Sequence, residues 1–126
     1  MTNDTIILVA DRNPRIRDFL QRELRSEGQR VYTAENADQL KSWIFRPGPL
    51  DALVIDPDMP GLEDHAHLED LLRRRPALAV IFHCLAADCT DLRQPGRRLA
   101  FVEKSGQSVD LLKQQIRSIL TLAVSG

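Results

Sequence analysis

The stretch that decides the fold is Ile6-Ile7-Leu8-Val9-Ala10, a continuous apolar run that ends in Asp11. A short apolar run without helical spacing is typical of a strand that is buried on both faces. Four more segments of strand character follow, the first of them more polar and suited to a sheet edge: residues 30–34, 52–55, 79–82 and 99–102. The sequence therefore predicts five strands.

Between the predicted strands the apolar residues take the spacing of a helix. The clearest helix has Asn13 as its N-cap, Pro14 at its first position and Gly28 at its end. Further helices are predicted over residues 36–44, 64–75 and 109–123, and only a short or irregular helix over 85–98. Strands that alternate with helices predict an α/β fold. We expect a doubly wound, five-stranded parallel sheet in the order 2-1-3-4-5, flavodoxin-like, with helices on both faces.

The composition fits a single domain over residues 1–126. The chain is 43% hydrophobic and 28% charged, with a net charge of −1. A chain of this size folds without a disulfide or a metal, and its balanced charge predicts no direct binding to nucleic acid. No apolar run is long enough for a signal peptide or a membrane span. Cys84 and Cys89 lack the C-x-x-C spacing, which predicts reduced thiols and a cytoplasmic location.

Charged residues follow three of the predicted strands. Asp11 comes after the first strand, Asp56 after the third, and Lys104 just beyond the fifth. In doubly wound sheets, ligands bind at the carboxyl ends of the strands, where the strand order reverses. Two carboxylates and an ammonium group that converge there predict a site for a phosphoryl group or a divalent cation.

Four stretches, in order, are IILVADRNPRIRDFL at 6–20, LVIDPDMPG at 53–61, VIFHC at 80–84 and FVEK at 101–104. Through these stretches the sequence resembles the receiver domain of bacterial response regulators over almost the whole chain. The resemblance implies a role in two-component signal transduction. The domain would then be a signalling phosphoacceptor and not an enzyme, beyond self-catalysed phosphoryl transfer.

The resemblance also implies roles for individual residues. The catalytic positions are Asp56 as the phosphoacceptor, Lys104 as the phosphate-contacting lysine, and Cys84 where the family has Ser or Thr. The metal positions for Mg²⁺ are Asp11, Asp56 and Asp58. A histidine kinase or a phosphotransfer protein would supply the phosphoryl group. A downstream output protein, or an effector domain on a longer chain, would respond to it.

Departures from the family pattern affect the same site. Arg12 stands at the second acidic position, so three carboxylates face two cations and the remaining charge is −1. This charge predicts weakened Mg²⁺ binding and a guanidinium group near Asp56 or Asp58. Cys84 offers only a weak S–H donor. Phe101 keeps the ring of a family tyrosine without its hydroxyl, and we expect that ring to be buried.

Other interpretations remain open. A lone aspartate such as Asp56 often caps a loop or pairs with an arginine. Its assignment as the phosphoacceptor therefore depends on Asp11 and Lys104, which stand at the positions that the family motif requires. The pair Asp56 and Asp58 also resembles the D-x-D motif of haloacid-dehalogenase-like phosphatases, which normally follows the first strand of a longer chain. Finally, Arg12 and Lys104 could neutralise Asp56 permanently. The chain would then be a pseudo-receiver, a protein-interaction module that is independent of phosphorylation.

Overall fold

The computed structural model describes residues 5–85 and 97–125, which form one five-stranded sheet with helices packed on it. The strands are β1 (Ile6–Ala10), β2 (Arg30–Ala34), β3 (Ala52–Ile55), β4 (Ala79–Cys84) and β5 (Leu99–Glu103). All pairings are parallel, and the order is β2-β1-β3-β4-β5. This result confirms the predicted doubly wound sheet.

Helices connect the strands. Within the described residues they are α1 (Pro14–Ser26), α2 (Ala37–Phe45), α3 (His65–Leu72) and α4 (Ser108–Ser125). The α1 helix begins as predicted, because the Asn13 side chain accepts a hydrogen bond from the Arg15 backbone N–H. Asn36 and Asp64 cap α2 and α3 in the same way. The helix predicted over 85–98 lies outside the described residues, except at residues 85, 97 and 98.

Side chains of the sheet alternate between two apolar layers. One layer contains Leu8 and Phe82 together with residues of α2 and α3. The other contains Ile7 and Val54 together with residues of α1 and α4. Both faces of the sheet are therefore covered, as predicted. Within 5–85 and 97–125, no helix combines the length and the apolar character that crossing a membrane requires.

The β4 strand extends two residues beyond the predicted end. The apolar pattern stops at Phe82, but the strand continues through His83 and Cys84, which pair with Val102 and Glu103 of β5. Both added residues are buried. Because adjacent strand residues alternate, Cys84 joins the layer of α2 and α3 and His83 faces the other way. The extension therefore places a histidine inside the carboxyl edge of the sheet.

The arginines after α3 connect helix ends. The helix stops at Leu72, three residues earlier than predicted, with Arg73 as its C-cap. The guanidinium group of Arg75 donates hydrogen bonds to four carbonyl groups at or just beyond the end of α2, those of Trp43, Ile44, Arg46 and Gly48. Arg75 thus adds hydrogen-bond donors at a helix end, where carbonyl groups often lack intrahelical partners.

Arg97 fixes the start of β5 against the end of α3. Its Nη1 donates to the carbonyl groups of Arg75 at 2.7 Å and Leu78 at 2.6 Å, and its Nη2 donates to that of Leu72. Burial lowers the pKa of the Arg97 guanidinium from its usual value, because the charged form is removed from water. One side chain therefore donates hydrogen bonds to three carbonyl groups at and just after the end of α3.

Candidate functional site

The backbone of the site continues the sheet beyond its strands. Three predicted site residues each donate their peptide N–H to a neighbouring strand: Asp11 to Ala34 at 3.1 Å, Asp56 to Ala10 at 2.8 Å and Lys104 to Cys84 at 2.9 Å. Each residue therefore adds one further hydrogen bond to the carboxyl end of the ladder. The sheet brings the predicted residues to the edge where the strand order reverses between β1 and β3.

Asp56 lies at the centre of the site with a side chain that is 0% exposed. Its Oδ1 accepts a hydrogen bond from the Asp58 N–H at 3.1 Å and lies 3.2 Å from Nζ of Lys104. Its Oδ2 lies 3.2 Å from Nε of Arg12 but accepts no hydrogen bond from the described part of the chain. Each carboxylate oxygen therefore has an ion-pair contact, but only Oδ1 accepts a hydrogen bond from the residues that the structure describes.

Arg12 covers the carboxylate from the solvent side. Its Nε faces Asp56, and its Nη1 donates to the carbonyl oxygen of Asp58 at 3.5 Å. The Arg12 side chain is 51% exposed, whereas that of Asp56 is 0% exposed. The guanidinium group thus lies near both aspartates, as the charge count predicts, and separates Asp56 from water.

Asp11 pairs with a histidine that the sequence analysis did not assign to the site. Nδ1 of His83 lies 3.4 Å from Oδ2 of Asp11, and both side chains are 2% exposed. The other oxygen, Oδ1, accepts a hydrogen bond from the Asn13 N–H at 2.8 Å. A carboxylate only accepts, so a hydrogen bond in this pair requires the hydrogen on Nδ1. The two-residue spacing of Ile81 and His83 is the signal that could have revealed this pairing, because both face the side of the sheet that Asp11 faces.

Cys84 does not hold the free thiol that the sequence predicts. It is buried at the end of β4 and is disulfide-bonded. In this state its sulfur has no hydrogen to donate to a phosphoryl oxygen. The one other cysteine in the sequence, Cys89, lies outside the described residues. The prediction of reduced thiols was wrong because it relied on the missing C-x-x-C spacing, which identifies redox and zinc sites but does not exclude a disulfide at another spacing. Cysteine usage therefore no longer supports a cytoplasmic location.

Asp58 and Phe101 have surroundings that the sequence did not predict. The Asp58 backbone lines the site, while Oδ1 of its side chain lies 4.0 Å from Nε2 of His65. The Phe101 ring is 47% exposed and therefore not buried as expected. It stacks on Phe82 with 5.4 Å between ring centroids. Because β5 is an edge strand, the outer face of this ring remains in water.

Comparison with known proteins agrees with this geometry. The family model described as the response regulator receiver domain matches residues 7–116. The chain belongs to this family. Receiver domains act in two-component signal transduction, in which they interact with histidine kinases or phosphotransfer proteins. No curated protein sequence matches the chain significantly.

Solved structures resemble this receiver domain over nearly its whole length. Response regulator protein TrrA from Thermotoga maritima, in complex with Mg(2+)-BeF, is 26% identical with a TM-score of 0.74, over 91% of this chain and 98% of that one. A CheY-like receiver domain protein from Methanospirillum hungatei is 21% identical with a TM-score of 0.79, over 98% and 100% of the two chains. A receiver domain protein from Clostridium thermocellum is 21% identical with a TM-score of 0.73, over 97% and 99%. The latter two show the fold alone.

The residues of this receiver domain do not fit a Mg²⁺ ion well. Mg²⁺ requires a near-octahedral shell of oxygens at about 2.0–2.1 Å. Here Asp56 Oδ2 and the Asp58 carbonyl oxygen both face the Arg12 guanidinium, and Asp11 Oδ2 faces His83. Within 5–85 and 97–125, no three His, Cys, Asp or Glu side chains are grouped so that they could hold a metal ion. A divalent cation on these oxygens would lie against a fixed positive charge.

Proposed function

We propose that this receiver domain accepts a phosphoryl group on Asp56 from a histidine kinase or a phosphotransfer protein. The observation that supports the proposal best is the asymmetry of the Asp56 carboxylate. Oδ1 is held by the Asp58 N–H and by Lys104, while Oδ2 accepts no hydrogen bond from the residues that the structure describes. Fixing one oxygen orients the carboxylate and leaves the other oxygen as the nucleophile.

In the proposed transfer, a lone pair of Asp56 Oδ2 forms the new O–P bond. The P–N bond to the donor histidine breaks, and its electron pair stays on the ring nitrogen. The donor ring, protonated on its other nitrogen, leaves as neutral imidazole. Lys104, whose Nζ is 3.2 Å from Oδ1, supplies positive charge beside the transferred group. Because the Asp56 side chain is 0% exposed, the Arg12 side chain must rotate outward before a donor can reach it.

Incubation with a small phosphodonor, followed by intact-mass measurement, tests the proposal. We expect the parent protein to gain the mass of one phosphoryl group, and Asp56→Asn to gain none. Asp18→Asn is the matched control, because it makes the same change at an exposed position of α1 outside the site, and it should be labelled like the parent. The proposal is wrong if the parent gains no mass, or if Asp56→Asn is labelled as fast as the parent.

The proposal includes the wider role of the domain. Residues 1–126 would act as one signalling phosphoacceptor without turnover of a separate substrate, and an output protein or an effector domain would read the phosphorylated state. Arg12 would weaken Mg²⁺ binding relative to a pocket with a carboxylate at that position. The pseudo-receiver alternative has less support, because the Arg12 side chain is 51% exposed and has room to rotate away from Asp56.

A further inference from the structure

We infer that the guanidinium group of Arg12 takes the place of the divalent cation, so that phosphoryl transfer to Asp56 does not depend on Mg²⁺. This inference rests on the proposed function, because it concerns the same transfer. It assigns to Arg12 a catalytic role, namely contact with the phosphoryl group as that group joins Asp56.

The guanidinium group of Arg12 lies beside the carboxylate of Asp56. Its Nε lies 3.2 Å from Oδ2 of Asp56, the proposed nucleophile, and its Nη1 donates to the carbonyl oxygen of Asp58 at 3.5 Å. Both are oxygens of the loop after β3, which the sequence predicts as part of a Mg²⁺ site. Lys104 lies 3.2 Å from the opposite oxygen, Oδ1. One side-chain cation therefore already flanks each oxygen of the carboxylate.

The chemistry of a guanidinium group suits contact with a phosphoryl group. A guanidinium is permanently charged, and its planar set of N–H donors matches the oxygens of a phosphoryl group in pairs. The Arg12 side chain is 51% exposed, so it has room to rotate outward with an incoming phosphoryl group. When the O–P bond forms at Oδ2, the contact of Arg12 with that oxygen gives way to contacts with the phosphoryl oxygens. Arginine side chains stabilise phosphoryl transfer in this manner elsewhere.

The carboxylate of Asp11 already has partners within the protein. Asp11 Oδ1 accepts a hydrogen bond at 2.8 Å from the Asn13 N–H, and Oδ2 lies 3.4 Å from His83 Nδ1. Both oxygens of Asp11 therefore already have partners within the protein. A Mg²⁺ ion would have to compete with His83 for Asp11 and with Arg12 for Asp56.

The test compares the labelling rate by a small phosphodonor in EDTA with the rate in saturating Mg²⁺. We expect the parent protein to be labelled equally fast in both. Arg12→Gln should be labelled at least about tenfold more slowly in both, because it lacks the cation. Arg12→Asp should be labelled only with Mg²⁺. Arg15→Gln removes the same charge from an exposed residue three positions along, and it should behave like the parent.

Calorimetric titration of Mg²⁺ into the unphosphorylated proteins gives a readout that does not depend on transfer. We expect no binding heat for the parent and saturable heat for Arg12→Asp. Saturable heat for the parent, at the level of the Arg12→Asp variant, would contradict the inference, because it would mean that Arg12 does not occupy the cation's place.

The labelling outcomes separate the inference from the proposed function. If the parent is labelled only with Mg²⁺, Asp56 is the phosphoacceptor but the inference about Arg12 is wrong. If Arg12→Gln is labelled faster than the parent in EDTA, Arg12 merely obstructs the site and the inference is again wrong. If no protein is labelled under either condition, both proposals are wrong. The parent comparison requires no substitution, so the test does not depend on whether a variant folds.

Discussion

Nδ1 of His83 lies 3.4 Å from Oδ2 of Asp11, and both side chains are 2% exposed. Burying an unpaired carboxylate costs several kcal/mol, so a carboxylate at this depth requires a partner. His83 provides that partner from β4, which is separated from β1 by β3 in the sheet. Because Arg12 follows Asp11 directly in the chain, the same pair also fixes the backbone from which the Arg12 side chain extends.

Replacing His83 should therefore destabilise the protein in a way that depends on Nδ1. We expect His83→Leu to lower the free energy of unfolding in urea by about 2–3 kcal/mol, because Oδ2 of the buried Asp11 then loses its partner. His83→Asn keeps an amide N–H close to the position of Nδ1, and it should cost less than about 1 kcal/mol. Equal losses for the two variants would mean that His83 acts through packing and not through Asp11.

The residue at position 84 should limit labelling of Asp56. Cys84→Thr supplies a hydroxyl group that can donate to a phosphoryl oxygen, which should raise the labelling rate about two- to tenfold. Cys84→Val has a similar shape without the hydroxyl, so it should give no such gain. Rates are compared by intact mass, and the parent is measured with and without a reductant. Identical rates for Thr and Val would exclude a hydrogen bond from this position.

The turn after Asp56 should be sensitive to a single added carbon. Gly61 has φ of +91°, and a Cβ at this residue would lie 2.6 Å from Cβ of Ala37. Gly61→Ala should therefore lower the free energy of unfolding by about 2–3 kcal/mol, through both backbone strain and steric overlap. Gly48 has φ of +111° but open space around it, so Gly48→Ala should cost only about 1 kcal/mol. Equal losses would show that the contact with Ala37 is unimportant.

Removing Arg97 should destabilise the junction of α3 and β5. Its guanidinium group donates to the carbonyl groups of Leu72, Arg75 and Leu78. Arg97→Ala should lower the free energy of unfolding by about 2–3 kcal/mol, since these carbonyl groups lose their donor. Arg15→Ala, at an exposed position, should change it by less than about 0.5 kcal/mol in the same denaturation experiment. A small loss for Arg97→Ala would indicate that water replaces the guanidinium.

Much of the fold was predictable because it depends on burial within short segments. The apolar runs at residues 6–10 and 52–55 match β1 and β3 at both ends, since a strand covered on both faces must be apolar throughout. The start of α1 was equally predictable from Asn13 and Pro14, whose effects are local. The position of Arg12 followed from counting charges at one edge of the sheet.

The features that escaped prediction depend on contacts between distant parts of the chain. His83 reaches Asp11 across 72 positions of sequence, and a polar residue after an apolar run was interpreted as the start of a loop. Arg75 and Arg97 pair with backbone carbonyl groups, which every residue has, so no sequence pattern marks their partners. The disulfide at Cys84 was missed for a different reason, since the expectation of reduced thiols came from the missing C-x-x-C spacing.

The peptide N–H groups of Asp11, Asp56 and Lys104 extend the ladder of the sheet by one hydrogen bond each. Amide hydrogens in a strand ladder exchange with solvent when the two paired strands separate. The hydrogen bond of Asp56 joins the central strands β1 and β3, whereas that of Asp11 reaches the edge strand β2 and that of Lys104 continues the edge strand β5. The backbone N–H of Asp56 should therefore exchange more slowly than the other two, and local opening at an edge of the sheet leaves Asp56 in place.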